Sequence, residues 1–252
     1  GSQDPLSNIP NFLTNSLDSI DLETIGNFNN ETANGIQQIL NGFENIAPTK
    51  QREISFAIVG IMKEAIDNCD HAKISKLCSL LVFNFSHSLT FIFSFCSPKG
   101  VTEMLMKFID NLWDESAKLK KEDGEDSEES NELSLSFSWA LLFLLSIYKN
   151  YNISLRNVVL TSSVLKMEDS FSIRFLSKIA EIPDDFSINE KNKQNPEVQT
   201  QSHKLVQGWL SDLFINGSLS DQLIQNTDTK QLAMLLPFIL KQVICAIEMN
   251  VI

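Results

Sequence analysis

Apolar side chains recur at every third or fourth position along most of this chain, and that spacing constrains the fold more than any other feature. In residues 53–68 the apolar positions fall on one face of a helix. The same spacing is found in 36–46, 101–112, 171–179 and 198–214. Gly and Pro are scarce, at 9 and 7 residues, which suits long helices with short connections better than a turn-rich β fold. The sequence therefore predicts an all-α fold.

The stretch 77–98 fits two kinds of secondary structure. Its apolar residues alternate as a half-buried strand requires, at Phe83, Phe85, Leu89, Phe91, Phe93 and Phe95. A helix fits equally well, and the length favours it because a strand of about 20 residues would be exceptional. Asn84, His87 and several serines disfavour contact with lipid. We therefore expect a buried core helix here, and another at 133–148.

Two polar segments divide the chain. Residues 118–132 carry three lysines and then a run of Asp and Glu without an apolar anchor, and such a block of like charge predicts a flexible linker. Residues 183–196 form a second, Asn- and Lys-rich linker. The helical blocks are then 6–117, 133–182 and 197–252, the last expected to continue past the end of a fragment, while residues 1–5 resemble a cloning scar.

Short helices joined by such linkers bury their apolar faces only against neighbouring helices. We therefore expect one continuous α-helical domain, built as a helical-repeat (HEAT/ARM-like) solenoid or as a stacked helical bundle. No motif of fixed period identifies a repeat class.

The net charge of −12 bears on the class of partner. Binding along phosphates or to an anionic membrane requires a basic face, and the sequence shows none. We therefore expect no direct nucleic-acid partner and no membrane partner, while a basic protein partner stays open. We also expect the fragment to be monomeric. The four cysteines lie in apolar, helix-like stretches, which favours buried thiols over a disulfide framework.

Five residues invite interpretation as a zinc site: Cys69, His71, Cys78, His87 and Cys96. Structural zinc uses ligands that converge tetrahedrally, usually from close pairs. Cys69 and His71 are the close pair here, and two positions apart on a helix they point in different directions. The sequence therefore predicts no metal site.

The sequence also predicts no catalytic and no cofactor-binding residue. The three histidines, His71, His87 and His203, lie beside no recognisable nucleophile loop. No glycine-rich phosphate-binding motif is present either. An α-helical enzyme whose catalytic residues are far apart in sequence stays open as an alternative.

One helix face in the last block carries an aromatic cluster. Trp209, Leu213 and Phe214 have the spacing of a single face, and Leu219 and Leu223 follow it. Two interpretations are open for this face. It packs in the core, which we favour, or it anchors a partner, since Trp is enriched in binding hot spots.

Two segments carry a family resemblance: 209–224 reads WLSDLFINGSLSDQLI, and 235–242 reads LLPFILKQ. Both resemble the Mediator tail subunit 5 family, the fungal relatives of animal Mediator tail subunit 24. A weaker similarity covers 137–153, a hydrophobic helix that ends in an aromatic and basic turn.

The resemblance implies a non-catalytic, helical-repeat scaffold subunit of the nuclear Mediator co-activator, without a cofactor. Such a subunit would contact other Mediator tail subunits and help to link activators to RNA polymerase II. A helical adaptor in transport or vesicle trafficking would have the same composition and is the alternative from another class.

Overall fold

The computed structural model describes residues 5–20, 35–122, 128–151 and 196–216, and the positions 219, 220, 222, 223, 235, 236, 239, 240 and 243. Within these residues no strand is found, and the regular elements are helical, which confirms the all-α prediction. In chain order the helices are α1 (Ile9–Asp18), α2 (Gly35–Asn41), α3 (Pro48–Asp67), α4 (His71–Phe83), α5 (Phe85–Phe95), α6 (Pro98–Glu122), α7 (Glu128–Asn150) and α8 (Pro196–Ser211). Two 3-10 turns, Pro5–Ser7 and Phe43–Asn45, and a π-helical turn, Asp212–Asn216, complete the described elements.

The ambiguous stretch 77–98 is helical, but it forms parts of two helices. α4 ends at Phe83, α5 begins at Phe85, and Asn84 lies between them. The Asn84 side-chain amide donates to the carbonyl oxygen of Leu80 at 2.9 Å, and the Asn84 backbone N–H donates to the same oxygen at 3.1 Å. Asparagine side chains compete with the helical hydrogen bonds in this way. The expectation of one uninterrupted helix was therefore wrong at Asn84.

The acidic segment 118–132 overlaps the ends of two helices. α6 continues to Glu122 and α7 begins at Glu128, so 123–127 alone lie outside the described residues here. Lysine and glutamate are good helix formers, and extending an existing helix costs little. The flexible linker itself stays a prediction. The second linker, 183–196, lies outside the described residues except for Pro196, the first residue of α8.

A tight turn joins α3 to α4. Cys69 has a positive φ of 53°, the left-handed conformation that commonly ends a helix. The N–H of Cys69 donates to Ile66 O at 3.2 Å and the N–H of Asp70 donates to Ala65 O at 2.9 Å, so these two carbonyls in the last turn of α3 are satisfied. The Asp70 carboxylate then accepts the Lys73 N–H at 3.1 Å and caps α4.

α4 lies at the centre of the described helices, where it packs against α1, α3, α5 and α7. Its contact with α7 is the most extensive in the described structure, and α7 also packs against α6. Buried apolar side chains from α1 to α8 form one cluster, whose largest members are Trp209, Phe43, Phe137, Phe143 and Phe214. The core helix expected at 133–148 lies within α7 and contributes to this cluster. The solenoid arrangement stays a prediction.

Candidate functional site

The structure brings one histidine and one serine together between α4 and α7. His71 Nδ1 lies 3.1 Å from Ser136 Oγ, although the two residues are 65 positions apart. The Ser136 hydroxyl donates its proton to Leu133 O at 3.0 Å. The Ser136 hydroxyl therefore lies at hydrogen-bond distance both from a backbone carbonyl of its own helix and from the His71 ring, whose Nδ1 donates or accepts according to its tautomer.

The surroundings of this pair favour a packing role. Ser136 is fully buried, so a substrate has no access to its oxygen. The His71 ring is tilted against the Phe108 ring, with a centroid distance of 5.9 Å. The histidine therefore lies where α4, α6 and α7 meet, and it links these helices.

Other buried serines are satisfied by their own helices. Each hydroxyl donates to a carbonyl three or four residues earlier, a common arrangement inside helices. The bonds run from Ser55 to Gln51 at 2.9 Å, from Ser79 to Lys76 at 2.9 Å and from Ser146 to Leu142 at 2.7 Å.

The residues considered for zinc do not converge in the described structure. Cys69 is exposed on the α3–α4 turn, Cys78 is buried in α4 and Cys96 is partly buried after α5. The side chain of His87 lies outside the described residues, as does that of His203. Among the residues that can be described, no group of three or more His, Cys, Asp or Glu is placed to hold a metal ion.

Burial also opposes reactivity at two of these thiols. Burial raises the pKa of the Cys78 thiol to about 12, and it raises the pKa of Cys96 as well. The thiolate is the form that attacks electrophiles and binds metals. Cys78 therefore behaves as a small apolar side chain at neutral pH.

The aromatic face of the last block lies inside the described structure. Trp209 is fully buried, and its ring meets the Phe83 ring edge to face at a centroid distance of 5.3 Å. Leu213 and Phe214 are buried in the π-helical turn, while Leu219 and Leu223 are partly buried against the core. In the described chain this face contacts α4, and it is not displayed at the surface.

Hydrogen bonds fold the segment that follows this face. The Asp212 carboxylate accepts the Ser220 N–H at 2.9 Å and the Asn216 side-chain amide at 3.3 Å. Ser220 Oγ in turn accepts the Leu223 N–H at 3.2 Å. Asp212 and Ser220 belong to the stretch that carries the family resemblance, and both act here on the local backbone.

A groove of about 600 Å³ lies between the start of α6 and the end of α7. Its walls include Pro98, Met106, Ile147 and Tyr151, and Lys99 and Glu103 form an ion pair at 3.8 Å beside it. The Tyr151 ring meets Phe93 edge to face at 5.7 Å, and burial raises the pKa of its phenol. The groove is mainly apolar, which suits contact with another apolar surface better than acid–base chemistry.

No helix in the described part of the chain is long and apolar enough to cross a membrane.

The family model described as Mediator complex subunit Med5 matches residues 1–252. The chain belongs to the Med5 family. This result confirms the resemblance found in 209–224 and 235–242. The Med5 match also includes residues 1–5, for which a cloning scar had been expected.

Three yeast relatives share the name Mediator of RNA polymerase II transcription subunit 5. The protein from Saccharomyces cerevisiae is 42% identical over 252 residues, covering 100% of this chain. The protein from Candida glabrata is 41% identical over 246 residues, covering 97% of the chain, and that from Eremothecium gossypii is 33% identical over 260 residues, covering 100%. This Med5-family chain spans 22% of the length of each of these relatives.

Proposed function

We propose that this chain is part of a non-catalytic scaffold subunit of the Mediator tail. The subunit works in the nucleus as a transcription co-activator, and it helps to link activators to RNA polymerase II through protein–protein contacts. The observation that carries the proposal is the Med5-family match over residues 1–252, together with relatives whose name places them in Mediator.

The described structure supports a role that depends on surfaces. In the histidine–serine pair that it brings together, the serine is fully buried and the histidine packs against the Phe108 ring. Its buried thiol at Cys78 has a pKa raised to about 12 and stays protonated at neutral pH. The helices α1 to α8 share one apolar cluster, which gives a rigid body on which partner surfaces can be held in place.

The partners that we propose are other Mediator tail subunits. The net charge of −12 disfavours direct contact with nucleic acid or with an anionic membrane. No cofactor takes part in this role, and the 252-residue chain by itself is monomeric in the proposal.

Affinity purification from nuclear extract tests the proposal. The full-length protein that contains this chain is tagged, and the proteins that co-purify with it are identified by mass spectrometry. Other Mediator subunits are the expected result. A matched bait that lacks residues 1–252 shows whether this region contributes to the contacts. Recovery of vesicle-coat or transport proteins without any Mediator subunit would contradict the proposal.

A further inference from the structure

The outer side of α3 carries an aromatic ring that the fold does not bury. Phe56 is 46% exposed, while Ile54 and Ile58 on the opposite side of the helix are buried in the core. The Arg52 guanidinium lies over the Phe56 ring, with Cζ 5.2 Å from the ring centroid. Single exposed apolar residues are common on proteins, so the ring alone indicates nothing about a partner.

A glycine one turn further along α3 is the second observation. Gly60 lies in the interior of a 20-residue helix, where glycine is less favourable than alanine by about 1 kcal/mol. A Cβ atom added at Gly60 would meet nothing within 4 Å. The described structure therefore gives no steric reason for glycine here. Close approach of a second backbone to the helix would be a steric reason for glycine at this position.

The charge of Arg52 is the third observation. Two lysines of α3 have carboxylate partners within the helix, since Lys50 pairs with Glu53 at 3.1 Å and Lys63 pairs with Asp67 at 3.9 Å. Among the described residues no carboxylate lies at ion-pair distance from Arg52. A guanidinium stacked on a ring keeps its planar N–H donors available for a carboxylate.

These features lie along one stripe of the helix. Arg52, Phe56, Val59, Gly60 and Lys63 follow the spacing of a single face, and we call this set the α3 patch. Val59 is partly buried and continues the apolar surface of Phe56 toward the core. The patch therefore combines apolar contact area, a site of close approach and an arginine that can receive a carboxylate.

We propose that the α3 patch binds an acidic amphipathic helix of another protein. The partner helix crosses α3 at Gly60, places apolar side chains on Phe56 and Val59, and directs a carboxylate to Arg52. The Arg52 guanidinium, unpaired within the described residues, selects a partner helix that carries a carboxylate at the matching position, and the missing Cβ at Gly60 selects a closely packed helix over a bulky loop. The inference rests on the proposed function in one respect, since it assumes that the chain acts through protein contacts.

Photo-crosslinking in the full-length protein tests this inference. Phe56 is replaced by the aromatic photo-crosslinker p-benzoylphenylalanine, and the crosslinked peptide is sequenced by mass spectrometry. We expect a segment of another protein with helical apolar spacing and a carboxylate within one turn of the crosslinked residue. The same crosslinker at Lys107, an exposed position of α6, is the matched control and is expected not to give this peptide.

Two further variants test the geometry. Arg52→Glu in the crosslinking protein should lower the yield by about tenfold or more, because the new charge repels the carboxylate, and Lys107→Glu with the same charge change should not. Gly60→Leu should also abolish the crosslink, because its side chain blocks the helix crossing. Thermal unfolding should show Arg52→Glu and Lys107→Glu close to the parent and Gly60→Leu at least as stable as the parent, which shows that the fold is intact.

Several results would overturn the inference. One is a crosslinking yield at Phe56 no higher than at the Lys107 control, and another is a yield that Arg52→Glu leaves unchanged. The others concern the captured segment: that it is basic or non-helical, or that it comes from the same polypeptide or from a second copy of it. If Mediator subunits still co-purify, the proposed function stands while this inference fails. If an acidic helix is captured but no Mediator subunit co-purifies, this inference stands while the proposed function fails.

Discussion

The α4–α7 interface and the α3 patch differ in whether the fold buries their side chains and gives their polar groups a partner. Between α4 and α7, the buried hydroxyl of Ser136 lies at hydrogen-bond distance from both Leu133 O and the His71 Nδ1. On the α3 patch, an aromatic ring is left partly exposed and Arg52 has no carboxylate beside it in the described structure. The comparison separates surfaces completed within the chain from a surface that is open to another molecule.

The difference indicates that exposed residues, more than buried ones, bear on the function of this chain. The buried hydroxyls of Ser55, Ser79, Ser136 and Ser146 are hydrogen-bonded, as is usual, and they explain stability. Exposed groups that the fold does not use are the ones from which we infer contacts with partners. The following predictions test this division, starting with the largest expected effect.

Phe214→Ala should destabilise the chain by about 3–5 kcal/mol, because it leaves a cavity in a packed core. The neighbouring Ile215 is 63% exposed, so Ile215→Ala should change stability by no more than about 0.5 kcal/mol. Urea unfolding of both variants measures the difference. Equal effects at the two positions would show that the face at Trp209 and Phe214 is not core in solution.

Ser136→Ala should cost about 1–3 kcal/mol, because His71 Nδ1 loses its hydrogen-bond partner across the interface. A double-mutant cycle with His71→Ala should show a coupling of about 0.5–1.5 kcal/mol. Ser146→Ala is the control, since the Ser146 hydroxyl bonds to Leu142 O in its own helix. Additive effects of Ser136→Ala and His71→Ala would contradict the hydrogen bond across the interface.

The raised pKa of Cys78 predicts a loss of stability at alkaline pH. The folded state holds this thiol neutral up to about pH 12, against an ordinary value of 9.0. Below the ordinary value both states keep the proton, and above it only the unfolded state releases it. Stability should therefore fall as pH rises between these values, by up to about 1.4 kcal/mol per pH unit.

Unfolding measurements near pH 8 and near pH 10 isolate this effect when Cys78→Ala is measured in parallel, because other titrating groups cancel in the difference. The variant should lose less stability than the parent over this range. The same pH dependence in both proteins would mean that Cys78 is not buried.

Gly60→Ala should raise stability by about 0.5–1 kcal/mol, because alanine favours the helix and its Cβ meets open space. Gly35→Ala is the contrasting control. Its Cβ would lie 2.6 Å from Phe12 Cζ and 2.7 Å from Ser16 Oγ, so the substitution should destabilise. Thermal unfolding measures the expected gain in stability for Gly60→Ala and the expected loss for Gly35→Ala. A loss of stability in Gly60→Ala would show that this position is already in contact within the chain.

The helical faces could be predicted from the sequence because each depends on the spacing of nearby residues. The apolar spacing in 53–68 identified the buried face of α3, and the same reasoning identified Trp209, Leu213 and Phe214 as one face. These features follow from a single helix and its period, so no knowledge of the neighbours was needed.

Features that depend on distant residues or on competition between weak local forces could not be predicted. His71 and Ser136 meet only because α4 packs on α7, and nothing in the local sequence marks either residue. The break at Asn84 depends on one side-chain amide competing with a backbone N–H for Leu80 O. The ends of α6 and α7 lie within an acidic run, where the charge pattern alone does not mark the end of a helix. The significance of Gly60 emerged only when the space around it was known.

The turn at Cys69 and Asp70 has a consequence for the order of folding. It joins α3 to α4 across a few residues, so closing this loop costs little entropy, whereas pairing α4 with α7 closes a far longer one. We therefore expect the α3–α4 hairpin to form early and α7 to dock late. In folding kinetics, Asp70→Ala should mainly slow folding and Ser136→Ala should mainly speed unfolding. The reverse pattern would contradict this order. A short capped turn would then let a chain with a long acidic segment begin to fold before its most extensive helix pairing has formed.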